Sequence, residues 1–262
     1  MHIQISITYR CNLKCQYCFQ FFDELPSVCD SDITTDEIIV ASKVLMFYSQ
    51  SIDKVRVFGG EPLLHPEVKS ICNAIRHYWQ PKRYMGVFTN GIYRNNMEGI
   101  YSKIRPVDKK EHIPIMISPY DLGIFSDIGF TKQCAFQNKC GNSFDCFGFT
   151  SCAMAPSFGR LFGIDVHHWA PVLFTDPNFC RHCLWSLGSS KQRVIKKAIN
   201  NGEIEYPSDT FRKALQDRVL YQPKRFLDRI PSKYLSLLIP KEGTETTRPK
   251  QRRRRSRRRG RG

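Results

Sequence analysis

The sequence predicts an α/β protein: a parallel sheet built from strand–helix units, then a small cysteine-rich region, then a basic tail. Three observations carry this. Short β-rich runs alternate with longer stretches of helical period up to about Asp121. Six of the 11 cysteines fall between Cys134 and Cys183. Arg248 to Gly262 holds ten Lys and Arg residues and no acid.

The elements follow in order. Ile3 to Thr8 alternates apolar and polar residues with a period of two, the pattern of a strand. A long loop through Pro26 leads to Thr34-Thr35-Asp36-Glu37, whose spacing of Thr and Glu forms a capping box. The helix it opens has an apolar face of Ile38, Ile39, Ala41, Val44, Leu45 and Tyr48. Lys54 to Phe58, Tyr84 to Thr89 and Ile113 to Ser118 read as further strands. Helices are expected after Pro66 (Val68, Ile71, Cys72, Ile75, Trp79) and after Asn95 (Met97, Ile100, Ile104). Beyond Asp121 the alternation fades, and Gly159-Arg160-Leu161-Phe162-Gly163 reads as a strand or hairpin. Lys191 to Asn201, Ser208 to Leu220 and Pro231 to Leu238 have helical character. From Pro240 on, apolar content is too low to pack, which predicts disorder. No repeat at solenoid spacing is present. The expected domains are 1–125, the strand–helix core; 126–190, the cysteine-rich region; 191–239, helices; and 240–262, the tail.

Composition excludes several classes. With 41% hydrophobic and 24% charged residues in 262, the chain has material for a sizeable core and is not a disordered protein. The net charge is +16, but without the tail 30 basic residues face 24 acidic ones, so the basicity is mostly a tail property. The 11 cysteines are too sparse for a small disulfide scaffold and odd in number. The first residues lack a basic stretch followed by an apolar run, so no secretory signal is expected. No run approaches the roughly 18 apolar residues of a membrane span. These features predict a reducing cytoplasm and no membrane partner, and there grouped cysteines point to metal.

Chemistry concentrates at strand ends. Cys11-Asn12-Leu13-Lys14-Cys15-Gln16-Tyr17-Cys18 follows the first strand, Gly59-Gly60-Glu61-Pro62 the second and Thr89-Asn90-Gly91 the third. Parallel strands joined by helices place their carboxyl ends on one rim, so the three stretches should meet. Three thiols in one short loop suit three corners of an iron–sulfur cube, leaving one iron open. Three cysteines alone also suit a zinc loop. Gly59 and Gly60 allow close backbone approach to a ligand. Glu61 can accept from an ammonium group, and Pro62 can simply stop a tight turn.

Cys-x3-Cys-x2-Cys with an aromatic residue before the last cysteine, then Gly-Gly-Glu-Pro, then Thr-Asn-Gly, resembles the radical S-adenosylmethionine (SAM) superfamily across residues 1–119. The resemblance implies a partial, truncated TIM-like βα barrel. It also implies a [4Fe-4S] cluster on Cys11, Cys15 and Cys18 whose fourth iron is chelated by SAM. Reduction would cleave SAM to methionine and a 5′-deoxyadenosyl radical that abstracts hydrogen from a substrate. Gly59, Gly60, Glu61 and Pro62 would grip the SAM amino group. Thr89 and Asn90 would reach the ribose or carboxylate, Tyr17 would lie by the adenine, and Ser118 would be a ribose contact or a plain turn residue. A reductant such as flavodoxin or ferredoxin is implied. The family's later Gly-x-Ile-x-Gly-x-x-Glu stretch is not present, which leaves the last strand–helix units in doubt.

Cys134, Cys140, Cys146, Cys152, Cys180 and Cys183 suggest a second metal. Cys146, Cys152 and the Cys180-Arg181-His182-Cys183 pair resemble the SPASM and Twitch auxiliary-cluster appendages, with the departure that Ile164 stands where Gly-x4-Cys needs a cysteine. A second [4Fe-4S] cluster on Cys146, Cys152, Cys180 and Cys183 is expected, with zinc as the alternative. Cys134 or Cys140 could fill in, or His167 or His168 could substitute. Cys29 and Cys72 read as lone thiols, Cys72 on a buried helix face. The Arg-rich tail would attract polyanions without reading bases, because no aromatic residues interleave it. The functional expectation is a radical SAM enzyme acting on a peptide or small metabolite. Alternatives are radical SAM modification of RNA aided by the tail, and a non-catalytic metal protein that binds nucleic acid.

Overall fold

Ile3, Ile5 and Ile7 alternate with Gln4, Ser6 and Thr8, and both sets are buried, so the first strand is covered on both faces. In the structure, a computed structural model describing residues 1–15, 17–21, 31–93, 105–106, 114–124, 140–172, 177–217 and 221–238, this strand is β1 (His2–Ser6). It lies inside a six-stranded mixed sheet of order β4-β3-β2-β1-β5-β6. β2 (Lys54–Phe58) and β3 (Tyr84–Thr89) have the bounds expected from the sequence. β1 pairs parallel with β2, and β2 with β3. In this register Ile3, Ile5, Val55, Val57 and Val87 share one face. Gln4, Ser6, Arg56, Phe58 and Phe88 share the other, where the Phe58 and Phe88 rings stack at 4.4 Å.

The helix α1 (Thr35–Phe47) begins at the expected capping box: the Thr34 hydroxyl accepts from the Glu37 amide at 3.2 Å, and the Glu37 carboxylate accepts from the Thr34 amide at 2.9 Å. Its Ile38, Ala41, Val44 and Leu45 are buried. α2 (Val68–Ala74) follows Pro66 and continues as a π-helical segment, Ile75–Trp79. The Trp79 indole N–H there donates to the Ile38 carbonyl at 2.9 Å, locking α2 to α1.

The later sheet departs from the expected order. The expected strand Ile113–Ser118 is absent over its described residues 114–118. Its backbone bonds to Ser208 instead of a strand: the Ser118 amide donates to the Ser208 hydroxyl at 3.0 Å, and the Met116 carbonyl accepts from the Ser208 amide at 3.1 Å. Its residues are buried all the same: Ile115 and Met116 in one apolar cluster, Ile117 in another. The fourth parallel strand is the two-residue β4, Arg105–Pro106, beside β3. Beyond β1 the sheet continues with β5 (Asn142–Asp145), parallel to β1. β6 (Gly148–Thr150) then turns back antiparallel to β5. The stretch expected to be a separate cysteine-rich region thus supplies two strands of the main sheet. It does not extend a sequential row of βα units.

The second departure is Gly159 to Gly163. It is not a strand but the end of helix α3 (Ala155–Phe162), with Pro156 in the first turn and Gly163 closing it at φ 67°. Proline at a helix start loses no intrahelical bond, and glycine accepts the left-handed cap. Phe158, Leu161 and Phe162 then sit at helical spacing against Phe21, Met154, Phe179 and Phe211. α4 (Pro177–Cys180), α5 (Ser189–Asn200) and α6 (Asp209–Asp217) follow, and α7 (Phe226–Arg229) lays Phe226 edge-on to Phe144 at 5.0 Å. Contacts divide the chain into two units, Met1–Ile230 and Pro231–Gly262; the described part of the second is the helix α8 (Ser232–Leu238). The helix expected after Asn95 and the basic tail lie outside the described residues. Among the described residues no helix is long and apolar enough to cross a membrane.

Phe144 on β5 is fully buried between Trp79, Phe149 and Phe226. Phe144→Ala should lower the unfolding free energy by about 3–5 kcal/mol, measured by urea denaturation.

Candidate metal centre and cofactor site

The site starts where β1 runs out. Its ladder with β2 continues past both strand ends: the Ile7 amide donates to the Phe58 carbonyl, Gly60 to Thr8 at 2.9 Å and Glu61 to Arg10 at 2.8 Å. This brings the two backbones so close that a Cβ on Gly60 would stand 2.1 Å from the Arg10 carbonyl oxygen and 2.8 Å from Cys11 Cβ. A Cβ on Gly59 would stand 2.5 Å from the Thr8 carbonyl oxygen. The glycine pair is thus required first by the cysteine loop itself.

Glu61 is completely buried, and its carboxylate gathers the next strand end. Its Oε1 accepts from the Leu63 amide at 3.0 Å and the Thr89 hydroxyl at 2.7 Å, and its Oε2 accepts from the Asn90 amide at 2.7 Å. The side chain therefore holds the turn at Pro62 and the Thr89-Asn90-Gly91 turn together. Asn90 closes the ring by donating from Nδ2 to Asn12 Oδ1, inside the cysteine loop, at 2.9 Å. The three strand ends meet on one rim as expected. Asn12 was not singled out from the sequence; its position between two candidate ligands was the available signal.

Alternate aromatics pin the cysteine loop. Tyr17 has a left-handed backbone, φ 62°, and sets its ring edge-on to Tyr206 at 4.9 Å. Phe19 meets Phe58 edge-on, and Phe21 is buried against Phe158 and Phe211. Cys11, Cys15 and Cys18 are part-exposed and in no disulfide. Burial pushes the Cys11 thiol up, and backbone N–H donors at Leu13 and Asn12 partly oppose it. Among the described residues no three His, Cys, Asp or Glu side chains are gathered as ligands for one ion. A lone zinc needs sulfurs converging at about 2.3 Å. The three free thiols are donors of the type that either a zinc ion or three corners of an iron–sulfur cluster takes.

Ser118 is not at a strand end. It is buried behind its hydroxyl's 2.9 Å contact with His182 Nδ1, and its amide donates to the Ser208 hydroxyl at 3.0 Å. The second cysteine group divides between two packing environments. Cys146 is fully buried beneath Phe226, whose amide donates to the Cys146 carbonyl, and burial pushes its thiol well up. Cys152 and Cys183 pack against the cluster around Phe158 and Phe211. No three of Cys146, Cys152, Cys180 and Cys183 are gathered as ion ligands. Cys140 accepts from Arg56 at 3.4 Å, and Cys29 and Cys134 lie outside the described residues. Cys72 is buried on α2 as expected, its thiol pushed up to about 12 by burial.

A polar network beside the loop was missed, because its members are far apart in sequence. Asp145, at the end of β5, accepts on Oδ2 from the Tyr9 hydroxyl at 2.6 Å and from His167 Nε2 at 3.0 Å, and on Oδ1 from the Phe147 amide. His167 Nδ1 lies 3.0 Å from the Tyr221 hydroxyl and 3.3 Å from Asp165, which in turn pairs with Arg229 at 2.6 Å. Burial works against charge on both Asp145 and His167. Their mutual attraction outweighs it, holding the Asp145 carboxyl below and the His167 imidazole above the ordinary value. His167, expected as a packing residue or stand-in ligand, is thus the hydrogen-bonded partner of a buried carboxylate that favours its protonated form.

Two outcomes follow. Gly60→Ala should force the cysteine loop off β2 and cost about 1–3 kcal/mol, read by urea unfolding. His167, with its raised folded pKa, stabilises fully below about pH 6.5 and loses that contribution as pH rises through the folded value. Asp145, depressed, keeps its share above about pH 3.9 and loses it as pH falls lower. The stability gap between wild type and His167→Gln should therefore be wide at about pH 5.5 and narrow by about pH 9. A flat gap would remove the ion pair from the account.

Comparison with known proteins converges on the same residues. The family model of the Radical SAM superfamily matches residues 5–115. Molybdenum cofactor biosynthesis protein 1 of Bos taurus is 39% identical over 92 residues, 35% of this chain and 14% of that protein. GTP 3',8-cyclase of Microcystis aeruginosa is 36% identical over 96 residues, 37% of this chain and 29% of that protein. This chain spans less than a third of either relative. The crystal structure of BtrN in complex with AdoMet and 2-DOIA is similar over 77% of this chain and 87% of its own, with 11% identity and a TM-score of 0.44. The stretch matched by the Radical SAM superfamily model, residues 5–115, carries the cysteine loop, the Gly-Gly-Glu-Pro turn and the Thr-Asn-Gly turn.

Proposed function

We propose that this chain is a radical SAM enzyme that reductively cleaves SAM and uses the fragment to abstract hydrogen from a small metabolite or peptide. The observation that carries the proposal is the closed ring from Gly60 through Glu61 and Asn90 to Asn12, which fixes three strand ends around the cysteine loop. When bound, a [4Fe-4S] cluster and SAM supply a low-potential electron and a sulfonium whose cleavage yields methionine and a 5′-deoxyadenosyl radical. Cys11, Cys15 and Cys18 would hold three irons, leaving the fourth to SAM.

The chain's other residues bind and orient. Glu61 is buried and engaged by Leu63, Thr89 and Asn90, so the carbonyls of Gly59 and Gly60 would share in meeting an amino group. Asn90, braced by Asn12, would reach the ribose or carboxylate. Tyr17, braced by Tyr206, can offer a ring face to the adenine. Ser118 is committed to His182 and Ser208, which favours a turn-fixing role over a ribose contact. The proposal rests on the first cluster alone and takes no support from Cys146, Cys152, Cys180 and Cys183. The electron would come from a small carrier of the flavodoxin or ferredoxin type. The matches to relatives named for GTP cyclisation cover 34–37% of this chain, so the proposal extends to SAM cleavage and not to a nucleotide substrate.

Anaerobic reconstitution with iron and sulfide, reduction by dithionite and addition of SAM should release 5′-deoxyadenosine and methionine. Cys15→Ala should abolish release while leaving the far-ultraviolet circular dichroism of the fold in place. Cluster-loaded wild-type protein that makes no 5′-deoxyadenosine would overturn the proposal.

A further inference from the structure

Two side-chain amides meet on the rim, and a backbone donor fixes which way each one faces. Asn90 Oδ1 accepts from the Ile92 amide at 3.0 Å. A backbone N–H can only donate, so the Asn90 atom facing it is the oxygen and the Asn90 nitrogen lies on the other side. That nitrogen meets Asn12 at 2.9 Å. It too can only donate, so it faces Asn12 Oδ1, and the Asn12 nitrogen is the atom left over.

The pair therefore presents donors. Each carbonyl oxygen already has an N–H, whereas Asn12 Nδ2 keeps two N–H groups and Asn90 Nδ2 keeps one. Among the described residues Asn12 makes no other side-chain hydrogen bond, and it is exposed. Its place in the loop is equally specific. The backbone N–H groups of Asn12 and Leu13 donate to the Cys11 sulfur, so the Asn12 side chain leaves the chain beside the first candidate ligand. On its other flank, the Asn90 amide donates to Glu61 Oε2 at 2.7 Å.

An amino acid carries an ammonium and a carboxylate on one carbon, and it needs acceptors for the first and donors for the second. In the proposed SAM site the Gly59 to Glu61 turn meets the amino group, and the Asn12–Asn90 pair adjoins that turn with donors. A carboxylate offers acceptors alone and suits such a pair. A ribose hydroxyl would also need a partner for its own hydrogen. We propose that Asn12 binds the carboxylate of SAM, donating from Nδ2, with Asn90 as the brace that holds its amide in that orientation. The proposal rests on the radical SAM reading of this loop.

The test compares cluster-loaded wild type, Asn12→Asp and Asn12→Leu, with SAM affinity measured anaerobically by equilibrium dialysis beside iron content. Asp keeps the oxygen that Asn90 needs and loses the donors; Leu loses both at similar size. SAM should bind about tenfold more weakly to each variant, the effect of losing one charge-assisted hydrogen bond. 5′-Deoxyadenosine, which has the ribose and no carboxylate, should lose less than about twofold. Wild-type SAM affinity in Asn12→Asp would reduce Asn12 to a brace, and wild-type affinity in Asn12→Leu would remove the donor from the account. Equal losses for SAM and 5′-deoxyadenosine would move the contact off the carboxylate. Loss of iron from Asn12→Asp would assign the residue to holding the cysteine loop. Any of these four results overturns the proposal. Wild-type protein that takes up no iron, or that holds its iron and binds no SAM, would instead overturn the radical SAM reading, a failure visible before any variant is compared.

Discussion

The site depends on two backbones lying closer than any side chain permits. Past the end of β1, the chain from Thr8 to Cys11 runs in hydrogen-bonding contact with Gly59, Gly60 and Glu61, and a single added carbon at Gly60 would fall 2.1 Å from the Arg10 carbonyl oxygen. Everything that gives the cysteine loop its place follows from that approach. Because the two amides are satisfied there, Glu61 can be fully buried with its carboxylate pointing onward to Thr89 and Asn90. A buried carboxylate is costly unless its oxygens find donors, and here three neutral donors serve it. The third strand end is thereby tied to the second, and Asn12 ties it back to the first.

The far side of the loop is held by different means. Tyr17, Phe19 and Phe21 reach in turn to Tyr206, Phe58 and the Phe158–Phe211 cluster, so the loop is anchored by rings where it lacks regular hydrogen bonding. Helix α3 completes the enclosure from below with Ser157 and Arg160 on Gln20. The buried pair Asp145–His167 sits beneath Tyr9 and joins the end of β5 to the same loop. A buried ion pair is weak evidence for stability in itself, since desolvation offsets much of its attraction. Its value is directional: Asp145 has one low-energy arrangement that satisfies Tyr9, Phe147 and His167 together.

Much of this was legible in the sequence because it was local. The capping box at Thr34 and Glu37, the period-two pattern of β1 and the bounds of β2 and β3 are written in neighbouring residues. So are the three stretches that meet on the rim, since strand direction alone sends their ends to one side. What failed was the reading of Gly159 to Gly163 as a strand. A short apolar run flanked by glycine suits either element, and Pro156 and the left-handed Gly163 decide for a helix only once Phe158, Leu161 and Phe162 have a core to face. The expected strand at 113–118 failed for the opposite reason: its apolar residues are buried, but over its described residues the Ser118 amide and the Met116 carbonyl bond to Ser208 rather than to a neighbouring strand.

By itself, then, the sequence determined the element types near its start, the cysteine spacing and the glycines that let a loop lie on a strand end. These are short-range matters of sterics, capping and period. Tertiary structure alone decided that β5 would pair with β1, that Asp145 and His167 would share a proton-bearing contact beneath Tyr9, and that Arg160 would lie across the cysteine loop. Those pairings join residues 22 to 151 positions apart, whose proximity is set by the burial of apolar faces across the whole sheet. No local pattern records it.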